Sequence, residues 1–95
     1  MEISTKANIV TITGNIKSVN DYQNIKKTID AMIDTHQNII IEIKDSISIT
    51  SSIIGYFTKL VQKDGIVLNV KVGDTSLVEL FNDLNLVSLF QVRKV

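Results

Sequence analysis

Asn38 to Lys44 reads Asn-Ile-Ile-Ile-Glu-Ile-Lys, and its four isoleucines in five positions constrain the fold more than any other stretch. Isoleucine is branched at Cβ and fits a pleated strand better than a helix. A near-continuous apolar run of this length is expected where a strand is buried on both faces, in the middle of a partly parallel sheet. Parallel neighbours cannot be joined by a tight turn and need crossover connections, usually helical. The flanking sequence must therefore supply helices, and its periodicity predicts them on both sides.

Upstream, Tyr22, Ile25, Ile29, Met32 and Ile33 fall on one face of a 3.6-residue period, with Lys26, Lys27, Asp30 and Asp34 on the other. Ser18 or Asn20 is placed to cap that helix, and Asp21 and Gln23 lie near its positive end. Downstream, Ile53, Ile54, Phe57, Leu60 and Val61 form a second amphipathic face, which Asp64-Gly65 ends. Ile66 to Val72 is a further strand rich in β-branched residues. Gly73-Asp74-Thr75 turns the chain, and Ser76 with Glu79 three residues on matches a capping box for a third helix through Leu77, Leu80, Phe81 and Leu84. A last strand is expected over Ser88 to Val92. At the other end, Ile3 to Thr5 and Ile9 to Thr13 predict two short strands, a hairpin connected at Ala7-Asn8 and stopped by Gly14-Asn15. The expected order is β-β-α-β-α-β-α-β. This is an α/β fold with a mixed, largely parallel sheet and helices packed on it, forming a single domain over residues 1–95.

Composition narrows the function. Aromatics make up 5% of the chain and Trp is absent, so aliphatic packing must build the core and little volume remains for a deep substrate cavity. Ten basic side chains balance ten acidic ones. Lys26-Lys27 and Arg93-Lys94 are the densest basic spots and form no stripe of the kind that counterion release on nucleic acid requires, so no nucleic-acid partner is expected. The absence of Cys excludes disulfides and thiolate metal sites. No apolar run approaches the roughly 20 residues of a membrane span, and the first residues lack the basic-then-apolar layout of a signal peptide. A cytoplasmic location without membrane insertion is expected.

Catalytic equipment is sparse. His36 is the only histidine, in the turn Asp34-Thr35-His36-Gln37-Asn38. Acid–base and nucleophilic catalysis need a base oriented by a second group, and nothing marks a nucleophile beside it. The glycines at 14, 55, 65 and 73 are too dispersed for a dinucleotide fingerprint or a phosphate loop. No enzyme activity, cofactor or metal is expected.

Thr50-Ser51-Ser52 is more informative. It follows the isoleucine strand and opens a helix, so it belongs at the carboxyl edge of the sheet, where open α/β sheets carry binding sites. One hydroxyl suffices to cap a helix; three in a row exceed that need. A phosphate added here would bring roughly −1.5 to −2 charges next to unpaired backbone N–H groups. The fold would tolerate it, while a partner docked on that edge would be repelled.

The segment Ile39 to Tyr56, IIIEIKDSISITSSIIGY, resembles the central strand, loop and helix of STAS domains, the family of sulphate-transporter and anti-sigma-factor-antagonist modules. In that family an apolar strand leads into an Asp-Ser-Ser/Thr-Gly-Leu-Gly sequence that opens the next helix. The resemblance puts Glu42 on the usual strand carboxylate, Thr50 on the motif's Asp, and Ser51 on the serine that dedicated kinases phosphorylate. Ser52 falls on the second hydroxyl, Ile54 on the leucine and Gly55 on the second glycine. Ile53 replaces the first glycine, which puts bulk where a kinase would approach. Ile12-Thr13-Gly14-Asn15-Ile16 is similar to the family's second strand and turn. Leu80 to Leu86, followed by Leu89-Phe90, is similar to its last helix and strand.

This resemblance implies a regulatory protein-binding module. Thr50, Ser51, Ser52, Ile53, Gly55 and Tyr56 would form its docking edge. Ser51 would be the phosphorylation site, with Ser52 and Thr50 as secondary candidates, and a serine kinase or anti-sigma factor the partner. The alternative it implies is an unphosphorylated subunit of a lipid ABC-type transport or stress-signalling complex.

Overall fold

A computed structural model describes all 95 residues. Two strands, β1 (Glu2–Lys6) and β2 (Ile9–Thr13), precede α1 (Val19–Asp30), β3 (Asn38–Ile43), α2 (Ser51–Gln62) and β4 (Val67–Val72). Then come α3 (Thr75–Asp83), the single turn α4 (Val87–Phe90) and β5 (Val92–Lys94). In space the strands follow their chain order, β1-β2-β3-β4-β5; β1 is antiparallel to β2 and every later pair is parallel. The α/β class and the largely parallel sheet are as expected. The order of elements is not, because a helix, α4, stands between α3 and the last strand.

Parallel connections are right-handed almost without exception. When each crossover steps to the next strand in the same direction, that handedness delivers every helix to the same face. The isoleucine strand is therefore sealed on one side only. Ile39, Ile41 and Ile43 are 0–1% exposed, whereas Ile40 and Glu42 between them are half-buried on the other side. Register extends both faces across the sheet. Val10, Ile41, Val70 and Val92 are cross-strand neighbours in one buried row, and Ser4, Thr11, Glu42, Lys71 and Arg93 form a polar row behind it. The expectation of burial on both faces is thus corrected: β3 is central in order but belongs to a two-layer fold.

The helices close the core with the residues their periodicity singled out. Ile25 and Ile29 come from α1, Ile53, Phe57 and Leu60 from α2, Leu77 and Phe81 from α3. Helix α1 ends at Asp30, and Met32 reaches the core from the turn beyond it. All three phenylalanines meet under β4 and β5. Phe90 stands edge-on to Phe57 and Phe81, with ring centroids 5.7 and 6.0 Å away, in the arrangement ring quadrupoles favour. Reaching that cluster is what displaces the expected strand at 88–92. Val87–Phe90 coils to turn Phe90 inward, Gln91 takes a left-handed conformation (φ 49°), and pairing begins at Val92. The α3 cap is Asp74, whose Oδ1 accepts from the Leu77 N–H at 3.2 Å, in place of the expected Ser76–Glu79 box.

Two backbone positions are tightly specified. Ala7 occupies the hairpin turn with φ 54°, a conformation that disfavours any Cβ. At Gly73 a Cβ would collide with the Lys44 carbonyl, because the end of β4 runs hard against the end of β3. Chemical denaturation should therefore find Ala7→Gly more stable by about 1 kcal/mol and Gly73→Ala less stable by about 2 kcal/mol or more.

Candidate docking site

Strands β2 and β3 are parallel neighbours, so the loops that leave them emerge side by side at the same end of the sheet. Hydrogen bonds tie these loops together. Gly14 N–H donates to Asp45 Oδ1 at 2.7 Å, Ile47 N–H to Asn15 Oδ1 at 3.0 Å, and Ser48 Oγ to the Ile16 carbonyl at 3.1 Å. At the centre is Ser46, the one buried polar residue of the chain. Its Oγ accepts from Ile16 N–H at 3.0 Å and donates to the Ser48 carbonyl at 2.7 Å. A buried hydroxyl with both roles filled has its desolvation offset by the bonds it makes, and it fixes whatever it joins.

What it joins are two helix starts. Ser18 caps α1 by accepting from Asp21 N–H at 3.0 Å, and Asp21 Oδ2 closes the box by accepting from Ser18 N–H at 3.2 Å. The Lys17 N–H also donates to that carboxylate, and these backbone bonds hold it below the usual carboxylate range. Thr50 caps α2, its Oγ1 accepting from Ile53 N–H at 3.2 Å. Between the two starts lies a cleft of about 300 Å³, lined chiefly by Lys17, Val19, Tyr22, Gln23, Thr50 and Ser52.

The expected docking residues divide here. Thr50 is half-buried in its cap, while Ser51, Ser52 and Gly55 are exposed, with Ser52 on the cleft. Ile53 and Tyr56 are not on this surface. Ile53 is fully buried, and Tyr56 is 4% exposed. They share the inward stripe of α2 with Phe57 and Leu60, so they cannot meet a partner without unpacking the core. Nor does Ile53 put bulk on the surface beside Ser51.

Tyr56 instead joins the helices. Its Oη donates to Asp30 Oδ1 at 2.6 Å, Asp30 pairs with Lys26 at 2.7 Å, and the Lys26 ammonium lies 5.6 Å from the Tyr56 ring centroid. Burial, then the Asp30 carboxylate, pushes the phenol far above its ordinary range. Burial raises the Asp30 carboxyl, but the hydrogen bonds from Lys26 and Tyr56 outweigh it and hold the group below its usual value.

Two exposed apolar side chains, neither singled out by the sequence, belong to the same pair of connections. Val19 opens α1 at 71% exposure, and Ile47 sits in the β3–α2 loop at 60%. A helix start and a strand-like alternation concealed them. Glu42 lies on the open sheet face, where its Oε1 accepts from Thr11 Oγ1 at 3.1 Å. His36 sits beyond the opposite end of α1, its Nδ1 3.0 Å from Thr35 Oγ1 and 3.3 Å from the Met32 carbonyl. No three His, Asp or Glu side chains converge in a way that could hold a metal ion, and no helix is long and apolar enough to cross a membrane.

Neither protein-family models nor curated proteins match this chain. Among solved structures, the NMR structure of the protein TM1081 superposes with a TM-score of 0.66 at 13% identity, covering 98% of this chain and 79% of that one. At that identity the likeness establishes a shared fold.

The Tyr56 clamp has a pH signature. Tyr56→Phe should lose about 1.5 kcal/mol in urea unfolding at pH 7, toward the low end for a bond to a charged group because Asp30 is partly exposed. A carboxylate held low in the folded state contributes stability above its unfolded pKa, near 4, and loses it as pH falls through the lower folded value. The gap between variant and wild type should therefore narrow below about pH 4.

Proposed function

We propose that this chain is a STAS-type regulatory module, similar to anti-sigma-factor antagonists, that docks a serine kinase or anti-sigma factor on the rim at the start of α2. Phosphorylation of Ser51 releases the partner. One observation carries this reading: Thr50 alone supplies the α2 cap, leaving Ser51 exposed in the first turn at the sheet's carboxyl edge. A phosphate there lies near the N–H groups of the helix start and does not disturb the core, while it changes the charge a partner meets.

Three further features support the reading. The inward orientation of Ile53 removes the bulk that its place in the motif suggested. Val19 and Ile47 give a partner apolar surface on the connections flanking the hydroxyls. A Cβ at Gly55 would meet nothing within 4 Å, so this exposed helical glycine serves no contact inside the chain. It costs helix stability of roughly 0.5–1 kcal/mol relative to Ala, which close approach by a partner on α2 would explain. The uncharged cap at Thr50 favours the second reading, a permanently bound subunit of a lipid-transport or stress-signalling complex in which Ser51 is not a switch.

Affinity capture with wild type, Ser51→Ala and Ser51→Asp separates the two. The switch predicts that Ser51→Ala keeps the partner, that Ser51→Asp weakens capture about tenfold or more, and that a cognate kinase puts phosphate on Ser51 by mass spectrometry. Equal capture by all three proteins would refute the switch and favour the fixed subunit.

A further inference from the structure

The sheet has two free edges, and they differ. β5 is three residues long, and Arg93 and Lys94 make two of those three cationic. Short length and clustered cations are the usual protection against strand addition. β1 is five residues long, Glu-Ile-Ser-Thr-Lys, with one charge of each sign at its ends. The chain's ion pairs are Lys26–Asp30 and Lys59–Asp64, so Glu2 and Lys6 are uncommitted, and both are exposed.

The hairpin turn decides which backbone groups β1 offers. Lys6 faces Ile9 across a two-residue loop, and residues flanking such a loop exchange both their hydrogen bonds. Bonding alternates along an antiparallel pair, so Ser4 and Glu2 also bond inward to β2. Ile3 and Thr5 therefore direct their N–H and C=O groups outward. If a second β1 lies antiparallel with Ser4 opposite Ser4, Ile3 of each copy faces Thr5 of the other as a hydrogen-bonding pair. Glu2 of each then faces Lys6 of the other on the open, polar side of the sheet. The same shift that aligns the backbone groups aligns the opposite charges, twice, about one two-fold axis.

We propose that β1 pairs edge to edge with β1 of a second copy of this chain, antiparallel and centred on Ser4, joining two five-stranded sheets into one. The contact is isologous and closes at a dimer. It is small, so association is weak and concentration-dependent. The proposal is independent of Ser51, which belongs to the β3–α2 rim and not to this edge.

Sedimentation equilibrium of the full chain at low salt, from about 10 μM to about 1 mM, tests it with four variants whose folding is checked by circular dichroism. Wild type should fit a monomer–dimer equilibrium. Glu2→Lys and Lys6→Glu each replace attraction by repulsion at both symmetric contacts and should raise the dissociation constant about tenfold. The double swap Glu2→Lys/Lys6→Glu restores opposite charges and should return to within about threefold of wild type. Thr5→Pro removes an outward N–H without touching the β2 ladder and should be monomeric. A wild type that stays monomeric throughout, assembly that grows past the dimer, or a double swap no tighter than the single variants would each overturn the proposal.

Discussion

A single buried hydroxyl organises the carboxyl end of the sheet. Ser46 accepts from Ile16 and donates to Ser48, and through it the loop leaving β3 is fastened to the loop leaving β2. Asp45, Asn15 and Ser48 add bonds around it. Without this join the two helix starts would hang from independent connections. With it, Ser18 and Thr50 cap neighbouring helices across one cleft, and the position of Ser51 is inherited from the sheet. Tyr56 and Asp30 repeat the join farther along the same two helices, so α1 and α2 are held at two levels.

The other constraint is topological. Strands added in sequence order by right-handed crossovers place every helix on one face. The buried row through Val10, Ile41, Val70 and Val92 and the polar row through Thr11, Glu42, Lys71 and Arg93 are two sides of that one rule. It gives the fold an open sheet face, free edges at β1 and β5, and a carboxyl rim where loops and helix starts collect. The carboxyl rim that bears Ser51 and the β1 edge therefore lie on different parts of a small surface.

Much of this was legible in the residues. The spacing of Ile25 and Ile29, the strand over Ile39–Ile43, an α1 cap at Ser18 or Asn20, an α2 cap by one hydroxyl of Thr50-Ser51-Ser52 and the left-handed Gly65 are local signals, and the structure realises them with Ser18 and Thr50 as the caps. The misjudged features depend on partners distant in sequence. Whether Ile40 is covered depends on strand order, which periodicity does not encode. Val87–Phe90 is short and apolar, and only the aromatic cluster with Phe57 and Phe81 makes it coil. Asp74 and Ser76 both lie within reach of a capping role, and α3 begins at Thr75, which makes Asp74 the cap. Ile53 is the most instructive. Its spacing with Phe57 and Leu60 already put it on the inward face, and only motif alignment assigned it to the docking edge. At the site itself the hydroxyl cluster was readable, while the role of Ser46 was not, because nothing in Asp-Ser-Ile-Ser reveals which strand's loop will lie across from it.

The central claim is that a rigid, hydrogen-bonded loop pair presents an accessible Ser51. Amide hydrogen exchange followed by NMR tests it residue by residue. The Ile16 N–H, donated to buried Ser46, should exchange as slowly as the amides of the central strands, while the Ser51 and Ser52 amides, unpaired in the first turn of α2, should exchange rapidly. An Ile16 amide exchanging as fast as Ser51, or a Ser51 amide as protected as Ile41, would contradict the account.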